Sequence, residues 1–426
     1  METEDRSIKG STIRLLRWSE RYTKTDMVYL ISGGFWLSVA QFAAALAAFF
    51  ITVLLANTVS PETLGEYRFL LAGFTLLSII ALPGMRSALR ESTPKGWYGN
   101  LRVAFSAMMR WGLLGSIAAL GAAAYYYTKE NTGLAMGFVV IALALPFFDA
   151  SAAYLEYLNA LKHFKKTTLY TITTRAVLFV ITVGVIFTYP EYAWIILAAF
   201  FLGHIIPNLF FHYKTVRTIA ETNPKADPGL TTYAKHLTAM AALGLIAGQL
   251  DKFFVWEFIG AGGLAIFYIA YTLPQESGRF LGLVSMLAFP KFATTPPQTI
   301  RHTLMSKLLK YLCVIVIIIC VYIYLAPYIF TLLFPQYMDA ILYSQVLMLV
   351  TLSFAFSPIR TYLTTIKATG PLYTLSVIPP SVRIIVALCL IIPLGLWGAV
   401  CALLAEALMR TILLIFFFYT SRERAD

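Results

Sequence analysis

Twelve apolar runs, separated by short polar connections, limit what this chain can fold into. A helix rises about 1.5 Å per residue, so about 20 consecutive apolar residues cross the roughly 30 Å hydrocarbon core of a bilayer. Each run reaches that length, and the sequence therefore predicts twelve transmembrane helices, numbered here as spans 1 to 12. Their predicted bounds are 28–56, 65–86, 103–128, 134–161, 167–189, 191–214, 233–258, 263–290, 307–333, 338–367, 372–393 and 395–419.

The composition leads to the same fold class. Of the 426 residues, 59% are hydrophobic and only 13% are charged, whereas a soluble protein carries roughly 25% charged residues. The formal net charge of +12 would suggest a nucleic-acid partner for a soluble domain, but here the basic residues lie between apolar runs. We therefore expect an all-α polytopic membrane protein with no nucleic-acid partner.

The basic residues between the spans fall on one side of the predicted membrane. Connections on the side of the N-terminus carry, among others, Arg86, Arg90, Lys165 and Lys214, while the opposite connections carry Lys129 alone. By the positive-inside rule, this asymmetry predicts that both termini are cytoplasmic and that the number of spans is even. The outer connections are short, so we expect no outer domain.

The N-terminal segment, residues 1–27, is polar and basic, and the apolar run that follows it is too long for a cleavable signal peptide. Within the segment, STIRLLRWSERY (Ser11–Tyr22) places Leu15, Trp18 and Tyr22 on one helix face beside several arginines. This pattern is compatible with an interfacial helix on the inner membrane surface. A disordered cytoplasmic tail is the alternative.

A weak internal repeat divides the chain into two halves. YLNALK (Tyr157–Lys162) ends span 4 and YLTTIK (Tyr362–Lys367) ends span 10, at an offset of 205 residues. TLGEYRFLLA (Thr63–Ala72) and GLAIFYIAYT (Gly263–Thr272) open spans 2 and 8, at an offset of 200. Six spans per half give both halves the same orientation, so we expect a pseudo-two-fold axis along the membrane normal. The predicted parts are a first lobe at 28–214, a cytoplasmic linker at 215–232, a second lobe at 233–419 and a cytoplasmic tail at 420–426.

Basic residues inside the spans are a functional signal, because a charge at mid-membrane costs about 2.5–3.5 kcal/mol on insertion scales. Arg175 and Arg383 each lie in the fifth span of their half and have no acidic residue at helical spacing. We therefore expect them to face a central cavity. The other embedded basic residues are Arg68, Arg110, Lys252, Arg279, Arg360 and Arg410, of which Arg68, Arg110 and Arg360 lie near span ends and could instead snorkel to the surface.

Acidic residues inside the spans are candidates for ion coupling. Asp149 follows Pro146 in span 4, and a proline frees a backbone carbonyl and can kink a helix. A lone carboxylate at such a place is either a coupling site for H⁺ or Na⁺ or a hydrogen-bonded structural acid. The other acidic candidates are Asp251, Glu276 and Glu406. His204, before Pro207 in span 6, is a further protonation candidate.

Two of these acidic residues could form structural ion pairs instead of coupling sites. Glu276 precedes Arg279 by three residues and Glu406 precedes Arg410 by four, which is the spacing of ion pairs along one helix face.

The sequence contains no cluster of metal-ligating residues and no glycine-rich phosphate loop. We therefore expect no metal and no cofactor.

The segment QLDKFFVWEF (Gln249–Phe258) and the following GAGGLAIFYIAYTLPQ (Gly260–Gln275) carry a family resemblance. The charged pair Asp251–Lys252 is followed by a short apolar segment, a glycine turn and an aromatic–small pattern. SPETLGEYRFLLA (Ser60–Ala72) looks like the equivalent element of the first half. With twelve spans in two six-helix lobes, the chain resembles the polysaccharide biosynthesis flippases, the Wzx-type oligosaccharide transporters of the MOP (MATE-like) superfamily.

The resemblance implies a function in the bacterial inner membrane. Such a protein moves an undecaprenyl-diphosphate-linked oligosaccharide from the inner to the outer leaflet by alternating access, here with coupling to H⁺ or Na⁺. Membrane lipids and a polysaccharide assembly machinery are the other implied partners. A cationic cavity between the lobes would bind the diphosphate, for which guanidinium groups are suited. The residues expected to bind cargo there are Arg175, Arg383, Arg279, Arg68, Lys252 and Arg360. Asp251 and Lys252 would also gate or brace the outer side.

Three alternatives stay open at this point. A MATE-like multidrug or cation antiporter resembles the same fold, but it should favour unpaired acids in its cavity. A membrane-embedded glycan polymerase or acyltransferase would need a larger outer loop than this sequence provides. A lipid II-type flippase commonly has more spans.

Overall fold

The structure, a computed structural model, describes residues 27–220, 225–294, 297–366 and 368–420. The predicted interfacial helix at residues 11–22 and the tail after Thr420 lie outside these ranges. Within the ranges, the chain forms helices and turns and no strand.

Twelve helices of the described chain correspond to the predicted spans. They are Met27–Thr58, Pro61–Leu77, Asn100–Thr128, Thr132–Ala160, Phe164–Thr188, Ala193–Thr215, Leu230–Ile259, Ala261–Thr294, Pro297–Leu333, Ala340–Thr365, Thr369–Leu394 and Leu396–Thr420, as spans 1 to 12. Ten of them are long and apolar enough to cross a membrane by length and composition. The other two, spans 2 and 8, pack against each other between the halves, where neighbouring protein replaces part of the lipid contact.

The two halves repeat the same packing. The first span of each half lies against the fifth, so span 1 contacts span 5 and span 7 contacts span 11. Likewise the sixth span of each half contacts the fourth and the fifth. The arrangement is that of a twelve-helix polytopic protein with two six-helix lobes related by a pseudo-two-fold axis.

Backbone hydrogen bonds reproduce the sequence repeat. At the end of span 4, Leu161 N–H donates to Tyr157 C=O at 3.1 Å, and at the end of span 10, Ile366 N–H donates to Tyr362 C=O at 3.1 Å. Both bonds are related by the predicted offset of 205 residues, and spans 5 and 11 begin at residues 164 and 369, again 205 apart. The repeated sequence therefore encodes the same chain reversal in each half.

The structure corrects two predicted spans. Span 2 ends at Leu77 rather than near residue 86, and the chain turns before a separate short helix at Met85–Ser92. Leu82 has a φ of 60° and precedes Pro83, so the α-helix cannot continue through this point. Span 10 is also not a regular α-helix, because its middle, Met348–Phe356, is a 3₁₀ segment that ends before Pro358.

Spans 2 and 8 approach most closely at Gly65. A Cβ atom on this residue would lie 2.0 Å from the carbonyl oxygen of Ala261 at the start of span 8. One turn further along span 2, Phe69 also contacts the second half. Its ring stacks on that of Trp256 in span 7, with ring centroids 4.5 Å apart. Only glycine permits this approach of the two halves.

We expect Gly65→Ala to weaken the contact between spans 2 and 8, because the added methyl group forces a main-chain shift. Overpacking of this kind typically costs about 1–3 kcal/mol. The measurement is thermal unfolding of the purified protein in detergent. The matched control is Gly184→Ala in span 5, where an added Cβ meets no atom within 4 Å. Equal thermal stability of the two variants would contradict the expectation.

Candidate substrate cavity

A cavity of about 530 Å³ lies between the two halves. Spans 1, 2, 5 and 6 line it from the first half, and spans 7, 8 and 11 line it from the second. Its volume is typical of sites for small organic ligands or for part of a larger one. The cavity therefore occupies the position where the predicted pseudo-symmetry suggests a substrate path.

The charges on the cavity wall are mostly positive. The cationic lining residues are Arg68, Arg175, Lys252, Arg279 and Arg383, and the acidic ones are Asp251 and Glu276. Among the described residues, the lining thus has a surplus of three positive charges. Five of the six cations expected from the sequence lie in this one cavity, on five different spans.

Arg383 is neutralised by carboxylates from two other spans. Its guanidinium donates to Asp251 Oδ2 of span 7 at 2.7 Å and to Glu406 Oε2 of span 12 at 3.0 Å. Asp251 is 1% exposed, and Glu406 is also bonded to Arg410. The lack of an acidic residue at helical spacing in span 11 therefore does not leave Arg383 unpaired, because both partners come from other helices.

Arg279 is paired within its own helix. It forms an ion pair with Glu276 three residues earlier, which is the structural alternative considered from the spacing. The Arg279 side chain is largely exposed towards the cavity. This pair contributes little net charge to the wall.

The remaining three cavity cations have no carboxylate partner among the described residues. Arg175 of span 5 is partly buried and forms neither a hydrogen bond nor an ion pair with them. Lys252 of span 7 turns away from its neighbour Asp251, and its Nζ donates to Gln249 Oε1 at 2.6 Å and to Gly248 C=O at 3.1 Å. The adjacent charges of QLDKFFVWEF thus do not form a pair with each other.

Arg68 of span 2 joins the two halves through an aromatic ring. Its guanidinium carbon lies 3.5 Å from the centroid of Tyr268 in span 8, within cation–π range. The hydroxyl groups of Tyr268 and Thr52 are 3.1 Å apart, and Arg68 donates to the Thr52 hydroxyl at 3.3 Å. Since the two sequence repeats align at an offset of 200, Arg68 and Tyr268 are equivalent positions that meet across the pseudo-axis.

Other predicted residues lie away from the cavity. Asp149 of span 4 is bound by Arg86 of the short helix after span 2, so it is not the lone carboxylate that the sequence suggested. Arg360 of span 10 does not line the cavity and forms no ion pair with a described residue. Glu406 stands behind Arg383 rather than on the wall.

His204, the protonation candidate of span 6, also does not line the cavity. It is buried, its ring stacks on Phe148 with centroids 4.0 Å apart, and neither ring nitrogen has a hydrogen-bond partner among the described residues.

No group of three or more His, Cys, Asp or Glu in the described ranges could hold a metal ion. The structure therefore suggests no metal site among these residues.

Sequence reasoning missed several polar residues of the cavity wall. Tyr268, Tyr271, Gln249, Gln275 and Thr272 all line the space. An uncharged polar residue costs little in a membrane helix, so its presence in an apolar run is not a signal by itself. The one available signal was their position on spans 7 and 8, next to the charged pair.

Comparisons with known proteins agree with this architecture. Residues 30–295 match the family described as "Polysaccharide biosynthesis protein", while no curated protein sequence matches the chain. The chain is similar in structure to an inward closed lipid II flippase MurJ, with a TM-score of 0.69, 16% identity, and coverage of 90% of this chain and 87% of that one. It is also similar to an outward-facing multidrug resistance MATE transporter of the MOP superfamily, with a TM-score of 0.60, 11% identity, and coverage of 92% and 94%. A third similar structure, a MOP superfamily transporter from Pyrococcus furiosus, has a TM-score of 0.59, 9% identity, and coverage of 92% and 94%.

A double-mutant cycle should reveal the buried ionic network of Arg383. We expect Asp251→Ala and Arg383→Ala each to cost about 3–5 kcal/mol of stability, because each removes an ionic partner from a buried charge. The double variant should cost less than the sum of the two. Thermal unfolding in detergent provides the measurement.

The matched control for this cycle is Glu276→Ala, which removes one carboxylate from the more exposed pair with Arg279. Its cost should stay below about 1 kcal/mol. Additive costs for Asp251 and Arg383, or a cost for Glu276→Ala as large as theirs, would contradict the network.

Proposed function

Because the chain belongs to the polysaccharide biosynthesis protein family, we propose that it is a flippase for an undecaprenyl-diphosphate-linked oligosaccharide. It would move this cargo from the inner to the outer leaflet of the bacterial inner membrane by alternating access. The observation that carries the proposal is the cavity between the halves, with its surplus of positive charge. A similar fold belongs to a lipid II flippase, which supports a lipid-linked cargo.

The cargo presents a diphosphate that cannot cross hydrocarbon without compensation of its charge. Arg175, Lys252 and Arg68 can supply that compensation, since none of them is held by a described carboxylate. They come from spans 5, 7 and 2, so they surround the cavity from both halves. A guanidinium donates two parallel hydrogen bonds to a phosphate group, which adds orientation as well as energy. Arg383 is a poorer ligand, because binding would require it to leave two carboxylates.

The sugar portion of the cargo would lie against the polar and aromatic part of the wall. Tyr268 and Tyr271 offer rings for the apolar faces of sugars. Gln249 and Gln275 offer amide groups for sugar hydroxyls. In this proposal the polyprenyl chain stays in the bilayer through a lateral opening, and only the polar head enters the cavity.

The acidic residues argue against a MATE-like cation antiporter as the alternative. A cavity for cationic drugs should expose carboxylates that are free to bind them. In the described lining, Asp251 is bound by Arg383 and Glu276 by Arg279. The short outer connections likewise support a transporter over a glycan polymerase or acyltransferase.

We keep ion coupling by H⁺ or Na⁺ as part of the proposal, with Asp149, Glu406, Asp251 and Glu276 as candidate sites. All four carboxylates accept from arginines. An ion can therefore bind to one of them only when its arginine moves away. Such an exchange would link ion binding to a change of helix packing.

The proposal also includes the membrane orientation and the division of the chain. Both termini would face the cytoplasm, with lobes at 28–214 and 233–419 and a linker at 215–232. The family match to residues 30–295 crosses this linker, as a single transport unit would require. A polysaccharide assembly machinery is the proposed partner on either side of the membrane.

We expect Arg175→Ala to lower export of the lipid-linked glycan about 10- to 100-fold, because one charge-assisted contact to the diphosphate is lost. The assay is glycan export in cells or reconstituted vesicles, at equal amounts of folded protein. Arg360→Ala is the matched control, since it removes an embedded arginine outside the cavity and should leave export nearly normal. Equal export by Arg175→Ala and the wild type would remove Arg175 from the cargo site.

Transport should also depend on an ion gradient if a carboxylate exchanges its arginine for an ion during the cycle. In vesicles, separate ionophores for H⁺ and Na⁺ should identify the coupling ion, and collapse of its gradient should slow transport several-fold. Collapse of the other gradient serves as the control. Unchanged transport after both gradients are collapsed would refute coupling but not the flippase proposal.

A further inference from the structure

Four basic residues form a cluster at the cytoplasmic edge of the first half, as assigned by the basic connections. This inner-edge cluster consists of Lys165 and Lys166 at the start of span 5, Lys214 at the end of span 6, and Arg217 in the π-helical turn that follows. Spans 5 and 6 pack against each other, and Lys166 lies close enough to Lys214 for mutual repulsion. Two separate chain segments therefore bring Lys166 and Lys214 together, and Lys165 and Arg217 lie within one turn of them along the chain.

Aromatic rings contact two members of the inner-edge cluster. Lys165 Nζ lies 5.8 Å from the ring of Trp36 in span 1, and the guanidinium carbon of Arg217 lies 4.5 Å from the ring of Tyr213. The Thr168 hydroxyl donates to Trp36 C=O at 2.8 Å and so fixes span 1 against span 5. Aromatic residues of this kind mark the interface between headgroups and hydrocarbon. By this rule, we infer that the cations lie near the depth of lipid phosphates.

No described carboxylate forms an ion pair with any member of the inner-edge cluster. Other basic residues on the same predicted side do have acidic partners: Arg86 pairs with Asp149, and Arg90 pairs with Glu156. Like charges held together without acidic neighbours repel one another. This repulsion favours the binding of an anionic group that contacts several of the cations at once.

Apolar side chains continue outward from the cluster. Leu169 and Phe210 expose more than half of their surface on the outer face of spans 5 and 6. Both lie within about one turn of the cluster residues along their helices. A lipid whose phosphate binds the cations would find an apolar surface for its chain directly beside them.

Resting on the proposed function, we infer that the inner-edge cluster is a docking site for the diphosphate head of the lipid-linked cargo before it enters the cavity. Span 5 connects the two places. Arg175 lies nine residues after Lys166, which is about 14 Å along a helix. In this inference, a diphosphate released from the cluster moves on to Arg175, a cation at the cavity wall without a described carboxylate partner.

The chemistry favours a diphosphate over an ordinary anionic phospholipid. A phosphodiester headgroup carries one negative charge and is satisfied by one or two cations. A diphosphate carries charge on two adjacent phosphates and can contact cations from both spans together. Binding to this site should therefore respond more steeply to the loss of cluster charge than phospholipid binding does.

The test uses the full-length protein in nanodiscs of phosphatidylcholine, with undecaprenyl diphosphate, undecaprenyl phosphate and phosphatidylglycerol as separate probes. The cluster variant is K165Q/K166Q/K214Q/R217Q. The matched control, K95Q/K235Q/K307Q/K310Q, removes the same number of exposed basic residues at other places on the same predicted side. Each cation near a lipid phosphate contributes about fivefold in affinity. Loss of all four cations is therefore expected to weaken binding of undecaprenyl diphosphate roughly 600-fold, while the control changes little.

Three results would overturn the docking site. One is an equal loss of affinity for undecaprenyl diphosphate in the cluster variant and the control. Another is a loss of affinity for phosphatidylglycerol in the cluster variant as large as that for undecaprenyl diphosphate, which would indicate a general anionic-lipid surface. The third is normal binding by the cluster variant while Arg175→Ala still abolishes transport, which leaves the proposed function standing. Failure of the wild-type protein to bind or transport any diphosphate-linked lipid would instead overturn the proposed function itself.

Discussion

A charge inside a bilayer needs an opposite charge, a polar partner or water, because an uncompensated ion costs several kcal/mol. This requirement shapes the two walls of the cavity differently. On the wall of the second half, Arg383 bonds to Asp251 and Glu406 from two other spans, and these ionic contacts tie spans 7, 11 and 12 together. On the wall of the first half, Arg175 bonds to no described carboxylate. Its charge is compatible with the fold only if the cavity contains water or an anionic ligand.

The backbone is therefore more symmetric than the side chains it carries. Both halves reverse the chain with equivalent hydrogen bonds at Leu161 and Ile366, and both place an arginine in their fifth span. In the sixth span, however, the second half supplies Glu406, whereas the first half supplies the uncharged contacts of His204 with Phe148. The first half thus contributes Arg68 and Arg175 to the cavity wall without a described carboxylate partner, whereas in the second half only Lys252 lacks one. The inner-edge cluster that we propose as a docking site lies on spans 5 and 6 of the same first half.

Much of this arrangement could be predicted from the sequence. Long apolar runs gave the spans, the bias of basic residues gave a predicted orientation, and the short repeats at 157 and 362 gave the equivalence of the halves. Five of the six expected cations meet in one cavity, because a buried charge in a bundle has few other places to go. The failures have a common cause. Arg383 and Asp251 are 132 residues apart in sequence, and Arg86 and Asp149 are 63 apart, so helical spacing could not reveal either pair.

By itself, the sequence determined that this chain crosses a membrane as two similar bundles of helices, since hydrophobic length and periodic repetition are local properties of a chain. It also determined which residues must avoid lipid, since the cost of a bare charge does not depend on the partner it finally meets. Only the tertiary structure decided which of those charges are neutralised and which stay available. That outcome depends on distances of about 3 Å between helices far apart in sequence, and on which face each helix turns towards the space between the halves.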